Sequence, residues 1–216
     1  MEENMEKREK KNRIGFKILG VIVLILLLLV IIHFIRNYVI TCSLIKAKDI
    51  TNYSYTLVDD DGFSLDSYYK DSRYLGITKT NDTPIGIEWY DDNTKESISI
   101  DLENSTATVS NSGPAGFYNF AKSLSDQMLS NKVNRTFNTF ITTEEVDGVE
   151  CYRLQPITGA IGAAYYYSKE NKLLTSIQSI GRTKRFTNFI NWKINTVTDE
   201  DVARPDLSNY EIIENE

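Results

Sequence analysis

A single histidine and two cysteines in 216 residues leave little material for the commonest catalytic sites. His33 lies inside the longest apolar run, so it cannot serve as the base for a serine or cysteine nucleophile elsewhere in the chain. A proton relay would need a second ionisable group in that run, and there is none. Cys42 and Cys151 have no metal-ligand spacing. Basic residues are scarce after position 36, where 17 Lys and Arg face 26 Asp and Glu, a formal charge of −9. Such a surface repels a phosphate backbone, which argues for no nucleic-acid partner. Internal repeats and low-complexity linkers are also missing, so the roughly 170 residues beyond the apolar run read as one domain with one core.

What is present begins with that run. Ile18 to Ile35 is apolar apart from Gly20 and His33 and is framed by Lys17 and Arg36, a length that spans a hydrocarbon core when flanking cations snorkel. Basic residues concentrate before it, which places the N-terminus in the cytoplasm and the rest outside. A cleaved signal peptide would show a shorter apolar stretch and a small-residue site, whereas His33-Phe34-Ile35-Arg36 follows here. Val39-Ile40-Thr41-Cys42 has the outline of a lipobox, with Thr before the Cys and Arg36-Asn37 in between against it. On the outer side, Cys42 and Cys151 either join in a disulfide or stay as two buried thiols, the latter preferred.

The expected organisation is a cytoplasmic tail (1–17), a transmembrane helix (18–36), a membrane-proximal helix (37–50), an extracytoplasmic β-domain (51–210) and a C-terminal tail (211–216). From Tyr53 onward the apolar pattern has period two, clearest in Ser97-Ile98-Ser99-Ile100-Asp101-Leu102, as half-buried strands require. Turn signals such as Asp61-Gly62, Asn81-Asp82 and Asp147-Gly148 recur at short spacing and predict an antiparallel meander. Strands are predicted near 52–58, 63–70, 73–79, 85–91, 96–102, 105–110, 134–142, 149–155, 161–168, 173–180 and 184–197. One interruption stands out: Ser112-Gly113-Pro114 opens a segment in which Phe117, Phe120, Ala121, Leu124 and Met128 recur at helical spacing, an amphipathic helix over about 114–130. The fold class that results is α+β: a transmembrane helix, then a curved antiparallel sheet or half-barrel of about ten or eleven strands, covered by that helix.

This order of elements resembles the Lol-type lipoprotein carrier superfamily. The residues that carry the resemblance are Ser67-Tyr68-Tyr69-Lys70-Asp71, Ile100-Asp101-Leu102-Glu103-Asn104-Ser105-Thr106-Ala107, Asp147 to Leu154, and Tyr165-Tyr166-Tyr167-Ser168 leading to Leu173-Leu174, over about Asp49 to Tyr210. The resemblance implies an incomplete β-barrel with helices as a lid over a hydrophobic cavity, and a lipid or lipidated protein as partner.

The remaining motifs have plainer explanations. Ser43 and Lys46 match the S-x-x-K of penicillin-recognising enzymes without the K-T-G element. Asp59-Asp60-Asp61-Gly62 and Asp91-Asp92-Asn93 offer clustered oxygens for calcium but lack EF-hand spacing and read as turns. Arg182, Lys184 and Arg185 form a basic cluster suited to anionic headgroups or to a solvated strand start. No motif calls for a cofactor, a metal or a catalytic residue. The aromatic content is the most informative signal, since twelve of thirteen tyrosines follow residue 50. A concave sheet lined by Trp89, Tyr165, Tyr167 and Trp192 beneath Phe117, Phe120 and Leu124 would hold a hydrophobic or lipidated ligand. The alternative is an envelope interaction or assembly module whose core is filled by its own side chains and which docks a protein partner. Either reading is of a non-enzymatic domain at the cell membrane.

Overall fold

The computed structural model describes residues 2–47, 50–111, 136, 138–157, 162–180 and 185–214. One helix, α1 (Glu2–Ala47), contains the whole apolar run and continues past it. The stretch Phe16–Leu44 is long and apolar enough to cross a membrane. No Pro or Gly lies between Arg36 and Ala47, so nothing ends the helix at the end of that run. Asn37, Ile40, Thr41 and Leu44, spaced three and four apart, form a buried stripe. Ile35, Tyr38 and Val39, on the other side, are exposed.

The strands among the described residues form a 12-stranded sheet in the order β12-β6-β5-β4-β3-β2-β1-β11-β10-β9-β8-β7. Its strands are β1 (Asn52–Asp59), β2 (Phe63–Lys70), β3 (Arg73–Thr80), β4 (Thr83–Asp91), β5 (Ser97–Asp101), β6 (Thr106–Ser110), β7 (Thr139–Val146), β8 (Val149–Pro156), β9 (Gly162–Ser168), β10 (Leu174–Ile180), β11 (Phe186–Ile194) and β12 (Glu211–Glu214). Two antiparallel meanders, β1–β6 and β7–β11, join where β11 pairs with β1. The hairpin turns have the backbone that their residues favour. Asp147 and Gly148 both have positive φ (50° and 79°), as do Asn81 and Asp82 (49° and 63°), which matches the twist of two-residue hairpins.

Two expectations need correction, and a third lies outside the described residues. The strand read at 134–142 runs over Thr139–Val146, because the two-residue turn at Asp147-Gly148 draws the pairing forward to Val146↔Val149. A twelfth strand, Glu211–Glu214, lies in the segment read as a tail, and it pairs with β6 in parallel rather than extending the antiparallel meander. The helix read at 114–130, with Phe117, Phe120 and Leu124, lies outside the described residues.

Register assigns each side chain to a face. One face carries Tyr53, Tyr55 and Leu57 of β1, Leu65, Ser67 and Tyr69 of β2, Tyr74 and Gly76 of β3, and Tyr90 of β4. Its buried residues form the main core together with Ile40 and Leu44 of α1. The opposite face, at the β3–β6 side, carries a second cluster of Trp89, Ile98, Ile100 and Ala107 with Leu207 from the chain that leads to β12. Residues 195–210 act as a strap over this second cluster. Asn52 exchanges hydrogen bonds with the backbone of Val197 (3.0 and 3.1 Å), the Trp89 indole donates to the Val202 carbonyl at 3.0 Å, and Arg204 pairs with Glu96 at 2.8 Å.

Gly76 is required by packing. It follows Tyr74 by two residues on one face, and the Tyr74 ring lies over it; an added Cβ would sit 2.9 Å from Tyr74 Cζ and 3.2 Å from a Leu65 methyl. Tyr74 is fully buried, so the ring can shift only by displacing its neighbours in the core. Gly76→Ala is expected to cost about 1–3 kcal/mol by overpacking. A chemical denaturation series measures it, and adding Tyr74→Leu should recover part of the loss if the ring is the obstacle.

Candidate functional site

The aromatic face is the one surface on which several of the predicted ligand residues meet. Tyr53 stacks on Tyr69 with ring centroids 5.2 Å apart, and Trp192 lies 5.7 Å from Tyr53 and 4.7 Å from Tyr55. Phe189 meets Tyr55 edge-on at 5.5 Å. Trp192 reaches this stack through a bulge. Between Ser54↔Lys193 and Thr56↔Ile190, Tyr55 of β1 faces both Asn191 and Trp192, and Asn191 takes a φ of 56° to fit the extra residue in. The Trp192 indole N–H then donates to the Leu174 carbonyl at 3.0 Å.

Tyr165 and Tyr167 extend the same face on β9, Tyr167 fully buried and Tyr165 packed at its margin. Trp89 does not share that surface. Its strand partners Leu75 and Ile98 place it on the opposite face, under the strap. The structure thus brings Tyr165, Tyr167 and Trp192 together and separates Trp89 from them; Phe117, Phe120 and Leu124 lie outside the described residues.

Sequence reasoning missed what meets the aromatic rings. Ile40 and Leu44, the latter only 1% exposed, are part of the cluster, so the end of α1 packs into the sheet. Asn37 and Thr41 are buried beside them, Thr41 donating to the Asn37 carbonyl at 2.8 Å. At the neighbouring turn the Arg36 guanidinium lies 3.5 Å from the Ile141 carbonyl of edge strand β7. The signal was available: Ile40 and Leu44 continue the helical spacing beyond the apolar run. Burial pushes the Tyr74 hydroxyl above its ordinary pKa, the behaviour of a core group rather than of a proton-transfer residue.

A groove of about 310 Å³ opens at the bulge and is lined mainly by polar groups of the other face, among them Ser54, Thr56, Asp66 and Lys193. Asp66 is engaged there, accepting from Thr56 at 2.8 Å and Lys79 at 2.5 Å. The acidic runs hold turns. Asp59 accepts the backbone N–H of Asp61 and Phe63, Asp60 that of Phe186, and Asp61 pairs with Arg185 at 2.9 Å. Asp91 accepts the N–H of Asn93, and Asp92 pairs with Lys95. Arg182 and Lys184 lie outside the described residues. The Ser43 hydroxyl donates to the Ile40 carbonyl at 2.7 Å, which ties it to its own helix. Both cysteines are free; Cys151 is buried with Ala164 and Tyr166, and its desolvation pushes the thiol pKa up.

The strap is held partly by charge. Hydrogen bonds from Lys70 and Arg73 hold the Asp199 carboxyl below its ordinary pKa, and the backbone and side chain of Ser208 do the same for Asp206. A carboxyl depressed in the folded state contributes stability above its unfolded pKa of about 3.9 and loses that contribution as pH falls through the folded value. Amides at 197–208 are therefore expected to exchange faster, relative to their intrinsic rates, at pH 3 than at pH 6. Asp199→Asn should reproduce part of this loosening at pH 6.

No family model and no curated protein matches this chain. Solved structures do. An uncharacterized conserved protein from Thermus thermophilus superposes with a TM-score of 0.55 at 8% identity, covering 81% of this chain and 97% of the other. MucB superposes at 0.42 with 9% identity over 79% of this chain and 62% of its own, and MucB in complex with MucA(peri) at 0.41 with 9% identity over 79% and 60%. The first likeness shows a shared fold; the two MucB scores are too low to carry an argument.

Proposed function

We propose that this chain is a membrane-tethered, non-enzymatic envelope module that docks a protein partner, with its N-terminus in the cytoplasm and its sheet on the outer side. The observation that carries the reading is the burial of Ile40 and Leu44 among the tyrosines. A half-barrel that holds an acyl chain needs its apolar face open to the ligand. Among the described residues the rings and the protein's own helix fill that face, and the acidic surface and the two edges of the sheet support protein docking. The apolar run, with basic residues on its N-terminal side, supports the tether and its direction.

The test is native mass spectrometry of the full chain after exchange into a delipidating detergent, paired with crosslinking in intact cells. The expected result is a protein mass free of stoichiometric lipid and a discrete crosslinked protein adduct. A one-to-one acyl lipid that survives the exchange, with no adduct, would sink this reading and favour lipid carriage instead.

A further inference from the structure

We infer that edge strand β7 and the adjoining end of β8 rest on the outer leaflet, with Phe140 and Ile157 lying in the bilayer interface beside the exit of α1. The inference rests on the tethered reading above and goes beyond it by naming the surface that meets lipid.

The argument starts from length. Ile18 to Ile35 is 18 residues, about 27 Å of helix against a hydrocarbon core of about 30 Å, so Arg36 emerges at the level of the headgroups. No linker follows, because α1 is continuous, Asn37 is already buried, and Ile40 less than one turn further belongs to the sheet's main cluster. The sheet must therefore begin at the membrane surface. Arg36 identifies which part of it comes first, since its guanidinium meets the Ile141 carbonyl on the edge strand while Ile40 and Leu44, further along the helix, enter the central cluster.

Phe140 is the residue next to that contact. It pairs with Gln155, and the Ile157 N–H donates to the Asn138 carbonyl at 2.8 Å, so Phe140 and Ile157 are diagonal neighbours on one face of the hairpin. Both are large, apolar and exposed, by 56% and 49%. Half of each side chain is left to solvent by the domain, next to the point where Arg36 leaves the apolar run, where an aromatic ring and an aliphatic chain gain by entering the interface. Tyr38, two residues beyond Arg36 on α1, is also half exposed. Glu144 and Glu145 lie further along β7 toward the Asp147-Gly148 turn, so the acidic end of the hairpin is the end remote from the Arg36 contact.

The experiment uses the full chain in vesicles of phosphatidylcholine with a minority of phosphatidylglycerol. An environment-sensitive fluorophore is placed in separate Cys42→Ala proteins at Phe140→Cys, Ile157→Cys, Leu27→Cys and Thr80→Cys, with buried Cys151 left in place. On binding vesicles the probes at 140 and 157 should emit to the blue of the probe at 80; shallow nitroxide lipids should quench those two, deep nitroxide lipids the probe at 27, and neither the probe at 80. Probes at 140 and 157 that behave like the one at 80, with 27 still quenched, overturn this inference alone. A probe at 27 that escapes quenching overturns the tether itself. Because labelling can disturb folding, the unmodified chain is also treated with a photoreactive lipid carrying its diazirine near the headgroup. Adducts on peptides containing 138–142 and 155–157 are expected, and adducts confined to α1 would contradict the inference.

Discussion

Leu44→Ala is expected to lower the unfolding free energy of the sheet domain by about 2–5 kcal/mol, the range for truncating a fully buried leucine. Val39→Ala, on the same helix but 59% exposed, should stay within about 0.5 kcal/mol of the parent. The contrast matters more than either value. If α1 were a tether joined to an independent domain, both substitutions would be silent in a domain unfolding assay. If the end of α1 is core, only Leu44 registers. Both tryptophans lie in the sheet, so their fluorescence during urea titration of the full chain in nanodiscs reports the domain alone. Equal and negligible shifts for the two variants would remove α1 from the core.

Trp89→Ala should be at least as damaging, by about 3–5 kcal/mol, for a different reason. The indole fills the second cluster and holds the strap through its bond to the Val202 carbonyl, and Val202 itself is fully buried. Removing the ring leaves a cavity and an unpaired carbonyl together. The loss should spread along the chain, so that amides from 202 to 214 exchange faster while those of β8 and β9 keep their protection. Trp89→Phe separates the two contributions, keeping most of the volume and losing the hydrogen bond. Uniform loss of protection across the sheet would mean that the strap is not a separable element.

The strands were legible because period two survives wherever one face is buried and because Asp-Gly and Asn-Asp turns fix the register between neighbours. Eleven strands follow from those two signals. The twelfth does not, since Glu211-Ile212-Ile213-Glu214 is short and pairs in parallel with a strand some hundred residues earlier, a contact with no local signature. β7 was misplaced by a few residues because Thr142 to Glu145 is exposed on an edge strand and shows no alternation. The candidate site was legible only as composition. Alternation says which residues share a face of one strand, not which of two faces meets the helix. β4 carries Trp89 toward the strap and Tyr90 into the cluster that includes the end of α1, and both are buried. The role of α1 was hidden because a run that ends at a charged residue invites a boundary there. Arg36 instead sits between the apolar run and a buried stripe of the same helix.

The measurement that bears most directly on the account is a methyl-to-aromatic nuclear Overhauser experiment on the full chain in nanodiscs, with the Leu44 methyls assigned by comparison with Leu44→Ala. Cross-peaks from Leu44 to tyrosine ring protons of the sheet are predicted, because both belong to one buried cluster. Cross-peaks from Leu44 only to lipid chains or water would contradict the claim that the end of α1 and the sheet share one core.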